Sequence, residues 1–212
     1  ERRRPAVPAS AVESAKAKGG MAVVTDVLTG DVLSMATVVG ATPTVPAHPA
    51  PASSQNLPLT AVYEPGSTNK VITVASALEA GVINESTTLS VPPSLKIADA
   101  VFEDHAPHAA ALTVRDIMRE SSNVGTIEIA QRMKNQEVAD GMRAFGLGEP
   151  TTVDWRNQPA GLLIPPSQYY ATGKYSTAIG YGVAVTGMQM LDAFATIANG
   201  GVSRPPHLLD AT

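Results

Sequence analysis

Ser67 and Lys70 stand three residues apart in the run Tyr63-Glu-Pro-Gly-Ser67-Thr-Asn-Lys70. A serine hydroxyl is a weak nucleophile until a base takes its proton. A lysine amine can be that base once burial or neighbouring cations bring its pKa down from about 10.4. On a helix, a spacing of three puts both groups on one face. The Pro65-Gly66 pair reads as a turn that opens such a helix, and the free N–H groups of its first turn offer partial positive charge to an oxyanion. A bare Ser-x-x-Lys arises about once by chance in a chain of ordinary composition this long, as a helix cap beside a solvated lysine. Here the turn, the helix start and a second motif downstream favour acyl-transfer chemistry over that plainer origin.

The second motif is Ser121-Ser122-Asn123, within Arg119-Glu-Ser-Ser-Asn-Val-Gly-Thr126. It falls between two helical segments, where a short loop aims Ser121 and Asn123 into a cleft. Helix capping is the structural role of the same residues, and the two roles are compatible. Ser54-Gln-Asn56 has the same pattern but precedes Ser67 in a proline-rich loop and is set aside. Glu103-Asp104-His105 with His108 lacks a helical frame, so it reads as a solvated loop rather than a metal site. Glu103 and Asp104, being adjacent, do not converge as an acid pair. Trp155, Tyr169, Tyr170 and Tyr175 read as core packing, and Tyr181 sits between two glycines.

The elements that must position these groups begin with a hairpin. Met21–Val27 and Asp31–Val38 are β-rich runs around Leu28-Thr-Gly30, with a glycine available for positive φ. The hairpin spans 21–39, after a linker or tail over 1–20 and before a proline-rich loop over 40–62. From 63 to 212 the pattern is mostly helical. Ser67–Ala80 carries Val71, Val74, Ala75 and Leu78 at helical spacing, and Gly81 ends it. Thr113-Val-Arg-Asp116 reads as a capping box. Asn123–Met133 repeats the spacing with Val124, Ile127, Ala130 and Met133, and 136–145 forms another short helix. Thr186-Gly-Met-Gln189 caps a helix bearing Leu191, Phe194, Ala195 and Ala198. The sum is an α+β fold.

Composition narrows the classes. With 212 residues, 44% hydrophobic and 16% charged, the chain is globular and long enough to bury a sizeable core. A net charge of −4 opposes a nucleic-acid binder, which needs a basic face for phosphates. There are no cysteines, so thiol chemistry, disulfides and cysteine–zinc sites are out. No apolar run reaches the roughly 18 to 20 residues of a membrane span.

Ser-x-x-Lys followed by Ser-x-Asn resembles the signature set of penicillin-binding proteins and serine β-lactamases. Further blocks resemble the class B, division-type transpeptidases: Ala22–Leu33, Glu64-Pro-Gly-Ser67, Ser121–Gly125, Phe145–Gly148, Ala160–Pro165, Gly180-Tyr-Gly182 and Ile197–Val202. They run in family order from about residue 20 onward. The resemblance implies a β-lactamase/transpeptidase-like fold, here mainly its helical part plus the hairpin. It implies a D,D-transpeptidase of cell-wall synthesis in which Ser67 attacks the bond between two D-alanines of a peptidoglycan stem peptide. Lys70 would be the base, Ser121 would pass the proton to the departing nitrogen, and Asn123 would bind the substrate backbone and help position Lys70. Tyr181 and Gly182 would line the substrate. The implied partners are stem peptides, β-lactam antibiotics and other division proteins, with no cofactor, no metal and no nucleic acid. The implied location is the outer face of the bacterial cell membrane, reached through an N-terminal anchor outside this chain. A β-lactamase, a carboxypeptidase or a β-lactam sensor stays open as an alternative, and so does a non-catalytic scaffold. One feature departs from the family pattern: none of the six lysines is followed by Thr-Gly or Ser-Gly. The family's third motif is therefore expected beyond residue 212, and little activity is expected from residues 1–212 alone.

Overall fold

A computed structural model describes residues 7–39 and 56–208. The helices are α1 (Val7–Ser14), α2 (Leu57–Thr60), α3 (Lys70–Glu79), α4 (Val114–Arg119), α5 (Asn123–Gln131), α6 (Asn135–Ala144), α7 (Gly173–Ala178) and α8 (Gly187–Ala198). The strands are β1 (Gly19–Thr25), β2 (Val32–Val39), β3 (Val62–Tyr63), β4 (Thr88–Ser90), β5 (Ser94–Ile97), β6 (Ala100–Glu103), β7 (Ala111–Thr113), β8 (Leu162–Leu163) and β9 (Val183–Thr186). The chain folds as two compact units. One gathers the described residues up to Val62 with Glu149–Ala160 and the stretch from Thr186; the other comprises Tyr63–Gly148 and Gly161–Val185.

The first unit is built on the expected hairpin. β1 and β2 pair antiparallel from Gly19↔Val39 to Thr25↔Val32, with an irregularity between Val24 and Thr25. The Asp26 carboxylate accepts the N–H groups of Leu28 (2.8 Å) and Thr29 (3.2 Å), an Asx turn that closes the connection. Gly30 completes it at φ +89°, where a Cβ would stand 2.6 Å from the Pro205 carbonyl. Leu59, Val153 and Met188 form the core of this unit, with Val23, Val32, Met35, Leu191 and Leu208 packed on it. α8 opens on the expected capping box of Thr186 and Gln189. Two expectations fail here. Residues 1–20 are not a plain tail, since α1 and the start of β1 lie inside them. Of the apolar positions read on α8, Phe194 is 43% exposed while Ala195 is buried, together with Met188, Gln189, Met190, Ala193 and Thr196. The proline-rich loop falls largely outside the described residues; its last part is α2 and β3, with Leu59 fully buried.

The second unit is a helical body around α3, with short strand pairs β4/β7, β5/β6 and β8/β9. α3 packs against α4, α5 and α6. Its inward face is Lys70, Ile72, Thr73, Val74 and Ala77, whereas Leu78 is 39% exposed. The spacing reading put Val71, Val74, Ala75 and Leu78 on this face; Val74 is buried, but Val71 and Ala75 are only half-buried and Leu78 is exposed. The reading erred because two polar side chains, Lys70 and Thr73, take inward positions and rotate the buried stripe. On α5 the reading succeeds: Val124, Ile127 and Ala130 are fully buried and Met133 nearly so. α3 and α6 approach so closely that a Cβ on Gly141 would fall 2.0 Å from the Ser76 hydroxyl. On Gly125 it would meet Ile117 at 2.7 Å, which fixes the α4–α5 contact. The aromatic set assigned to core packing is not core throughout, because Trp155 (42%) and Tyr170 (76%) are exposed.

Candidate active site

Ser67 lies in a 3-10 turn, Gly66–Asn69, that runs directly into α3. Gly66 enters the turn at φ +56°, a conformation that costs an L-residue with a Cβ roughly 1–2 kcal/mol. The Lys70 N–H donates to the Ser67 carbonyl, which is the i, i+3 bond of the tight turn. In 3-10 geometry side chains three apart eclipse one another, so Ser67 and Lys70 share one side of the turn. The serine is exposed and the lysine is 1% exposed.

The Lys70 ammonium donates to the Ser121 carbonyl and, at 3.2 Å, to the Ser121 hydroxyl. Burial pushes its pKa down to about 8, while the Asp104 carboxylate pulls the other way. Ser121 can present both oxygens to one amine because its backbone is left-handed, at φ +53°. Such a conformation is costly for a serine and persists only where its surroundings hold it.

Ser122 holds the next position. It caps α5 by accepting the Gly125 N–H at 2.7 Å and donates its hydroxyl to Asp104 Oδ2 at 2.6 Å. Asp104 Oδ1 accepts the N–H groups of Asn123 (2.5 Å) and Val124 (3.1 Å). His108 Nε2 lies 2.8 Å from Asp104 Oδ2, with both side chains at least nine-tenths buried. The segment read as a solvated loop therefore holds a buried carboxylate bonded to the start of α5. Of its four named residues, Glu103 and His105 are the exposed ones. The sequence offered one signal, an Asp followed by a His at i+4, but nothing in it announced that Asp104 would meet Ser122, the N-cap of α5, 18 residues further on.

Asn123 is brought to the same junction, yet its side-chain amide donates to the Glu103 carbonyl at 3.0 Å. Among the described residues, both side-chain hydrogen bonds of Lys70 go to Ser121. Tyr181 and Gly182 belong to a loop bonded to the serine turn and the residues just before it. The Gly66 N–H donates to the Gly180 carbonyl (3.0 Å) and the Gly182 N–H to Glu64 Oε1 (2.8 Å). Asn69 Nδ2 donates to the Thr177 carbonyl (2.9 Å) and Thr73 Oγ1 to that of Ala178 (2.7 Å). The Gly180–Gly182 loop is thus a brace against the Gly66–Asn69 turn, while Tyr181 is 52% exposed. Among the described residues no three His, Asp or Glu side chains gather as a metal site.

A serine on a helix-opening turn, a buried lysine one turn on, and a Ser-x-Asn turn facing the lysine within an α+β frame define the serine β-lactamase/transpeptidase class of fold. Residues 20–212 match the penicillin-binding protein transpeptidase domain, and the chain belongs to that family. It is 34% identical to the penicillin-binding protein PbpB of Mycolicibacterium smegmatis over 95% of its length, covering 32% of that protein. It is 33% identical to the peptidoglycan D,D-transpeptidase FtsI of Escherichia coli over 92% of its length, covering 33% of that one. The TP domain of Burkholderia pseudomallei penicillin-binding protein 3 superposes with a TM-score of 0.84 at 30% identity, over 96% of this chain and 57% of that one. The chain spans about a third of the length of these two curated relatives.

Proposed function

We propose that this chain carries the serine-acylation half of a peptidoglycan D,D-transpeptidase acting on D-Ala-D-Ala stem peptides at the outer face of the cell membrane. Neutral Lys70 takes the Ser67 proton as Ser67 Oγ attacks the carbonyl between the two D-alanines. The proton travels through the Ser121 hydroxyl to the departing D-alanine nitrogen, the C–N bond breaks, and a seryl ester remains. An acceptor amine then attacks that ester, a new amide forms, and the serine regains its proton. A β-lactam enters at the first step: its ring C–N bond opens and the nitrogen stays tethered, which leaves a long-lived adduct. Asn123 serves as a substrate-backbone contact, and Tyr181 and Gly182 line the approach. Proteins of the division machinery are the partners this role requires.

The observation that carries the reading is the Lys70 amine, buried, pushed down to about 8 and bonded to Ser121 one turn from Ser67. With that pKa roughly a tenth of the lysine is neutral at pH 7, against under a thousandth for a free lysine. In the protein that carries this chain, a fluorescent penicillin is expected to label Ser67, and Ser67→Ala to abolish labelling. Labelling that survives the substitution overturns the assignment. Release of the bound label within minutes, rather than hours, would instead identify a β-lactamase.

A further inference from the structure

Asp104 and His108 form a buried pair that the chemistry above does not use. The carboxylate receives four donors at once: the Ser122 hydroxyl, the Asn123 and Val124 N–H groups, and His108 Nε2. The first three belong to the two residues that follow Ser121 and to the first turn of α5. They include unpaired N–H groups of a helix start, where a carboxylate is both hydrogen-bonded and favoured by the helix dipole. Ser121 sits immediately before them in a left-handed backbone that an isolated serine avoids. Its carbonyl and hydroxyl both meet Lys70.

We propose that Asp104 is a positioning residue for acylation: by clamping Ser122 and the start of α5, with His108 holding its carboxylate, it keeps Ser121 in the conformation that presents both oxygens to Lys70. This rests on the acyl-transfer reading of Ser67 and Lys70. The carboxylate acts through Ser121 and does not touch substrate. His108 fixes which way the carboxylate faces, since its imidazole is bonded to the same oxygen that accepts Ser122.

The charge on Asp104 has a second effect, separable from the clamp. The titratable groups that face the carboxylate are His108 on its own segment and Lys70 on α3. Its neighbours Glu103 and His105 are exposed, and Arg119 on α4 is engaged with Asp116 and Glu120. Asp104 holds the Lys70 pKa higher than burial alone would leave it. Replacing it by asparagine, which keeps the shape and one acceptor oxygen, removes that pull. The lysine then becomes neutral at lower pH.

The test measures the second-order rate of fluorescent-penicillin acylation against pH for wild type, Asp104→Asn, Asp104→Ala, His108→Gln and His108→Ala in the full protein, with thermal melts on each. Asp104→Ala is expected to acylate on the order of 10²-fold more slowly, the scale of loss when a reacting group is misplaced by about 1 Å. Asp104→Asn is expected to lose less rate and to show the rising limb of its pH profile at lower pH than wild type. His108→Gln, which retains a donor, is expected to stay within about threefold of wild type, while His108→Ala loses roughly tenfold. A purely structural carboxylate would lower the melting temperature, leave the pH profile in place and give normal rates in the folded fraction; that result overturns the proposal. Wild-type labelling that is absent, or that persists in Ser67→Ala, indicts the acyl-transfer reading instead. Ser67-dependent labelling with normal Asp104 variants sinks only the clamp.

Discussion

At the residue scale the protein turns on how far Lys70 is driven from its solution state. Desolvation is the larger influence and favours the neutral amine; Asp104 opposes it in part. A base must be neutral to accept a proton, so acylation should rise with pH and level off above about 8. Rates of penicillin acylation across roughly pH 6 to 9 check this. Lys70→Arg keeps the charge but not the ability to lose it, and should cost roughly 10² to 10⁴ in rate. The same shift has a stability consequence. Between about 8 and 10.5 the folded chain binds fewer protons at Lys70 than the unfolded chain does. Stability from this group therefore increases as pH climbs through that window. Lys70→Met should flatten that slope in denaturant titrations run at several pH values, and a slope left unchanged would assign it to other groups.

At the element scale the Ser67 turn and the start of α3 are held by the α4–α5 junction, through Ser121 and Lys70, and by the Gly180–Gly182 loop, through its bonds to Gly66 and Glu64. Gly180 is at φ +87°, and a Cβ there would fall 2.0 Å from the Gly66 carbonyl oxygen, one residue before Ser67. Gly180→Ala should destabilise the fold by more than about 2 kcal/mol and slow acylation in the molecules that remain folded. Gly81→Ala is the control, because Gly81 also has positive φ (+67°) but nothing within 4 Å of its Cβ. It should cost about 1 kcal/mol with acylation unaffected. Equal effects at both sites, by melting and labelling, would refute the brace. The helix caps were open to sequence reading: Thr113 with Asp116 and Thr186 with Gln189 are both capping boxes, because such a box is made within four residues. The brace was not, since it joins residues more than a hundred positions apart.

For the whole molecule, every residue with a proposed chemical or positioning role lies between Tyr63 and Gly148 or between Gly161 and Val185, within one of the two units. The hairpin, α2 and α8 belong to the other. Leu59, fully buried there with Val153 and Met188, offers a way to perturb stability apart from chemistry. Leu59→Ala should cost about 2–5 kcal/mol and lower the melting temperature. The acylation rate per folded molecule should stay within about twofold of wild type. A proportionate loss of rate in fully folded protein would show that the first unit takes part in the chemistry. No helix among the described residues is long and apolar enough to cross a membrane.

What the amino-acid order determined by itself is whatever depends on neighbours within one turn. That covers the Ser67–Lys70 spacing, the caps, the α5 core face and the hairpin with its Leu28–Gly30 turn. The family could be read from it as well, because its blocks fall in a fixed order along the chain. Tertiary structure decided what depends on distant partners. It buried Lys70 and so set its basicity, and it turned α3 away from the face its apolar spacing suggested. It also brought Asp104 and His108 from an unremarkable stretch to the start of α5. Burial and long-range hydrogen bonds are properties of the folded surroundings, and no local pattern encodes them.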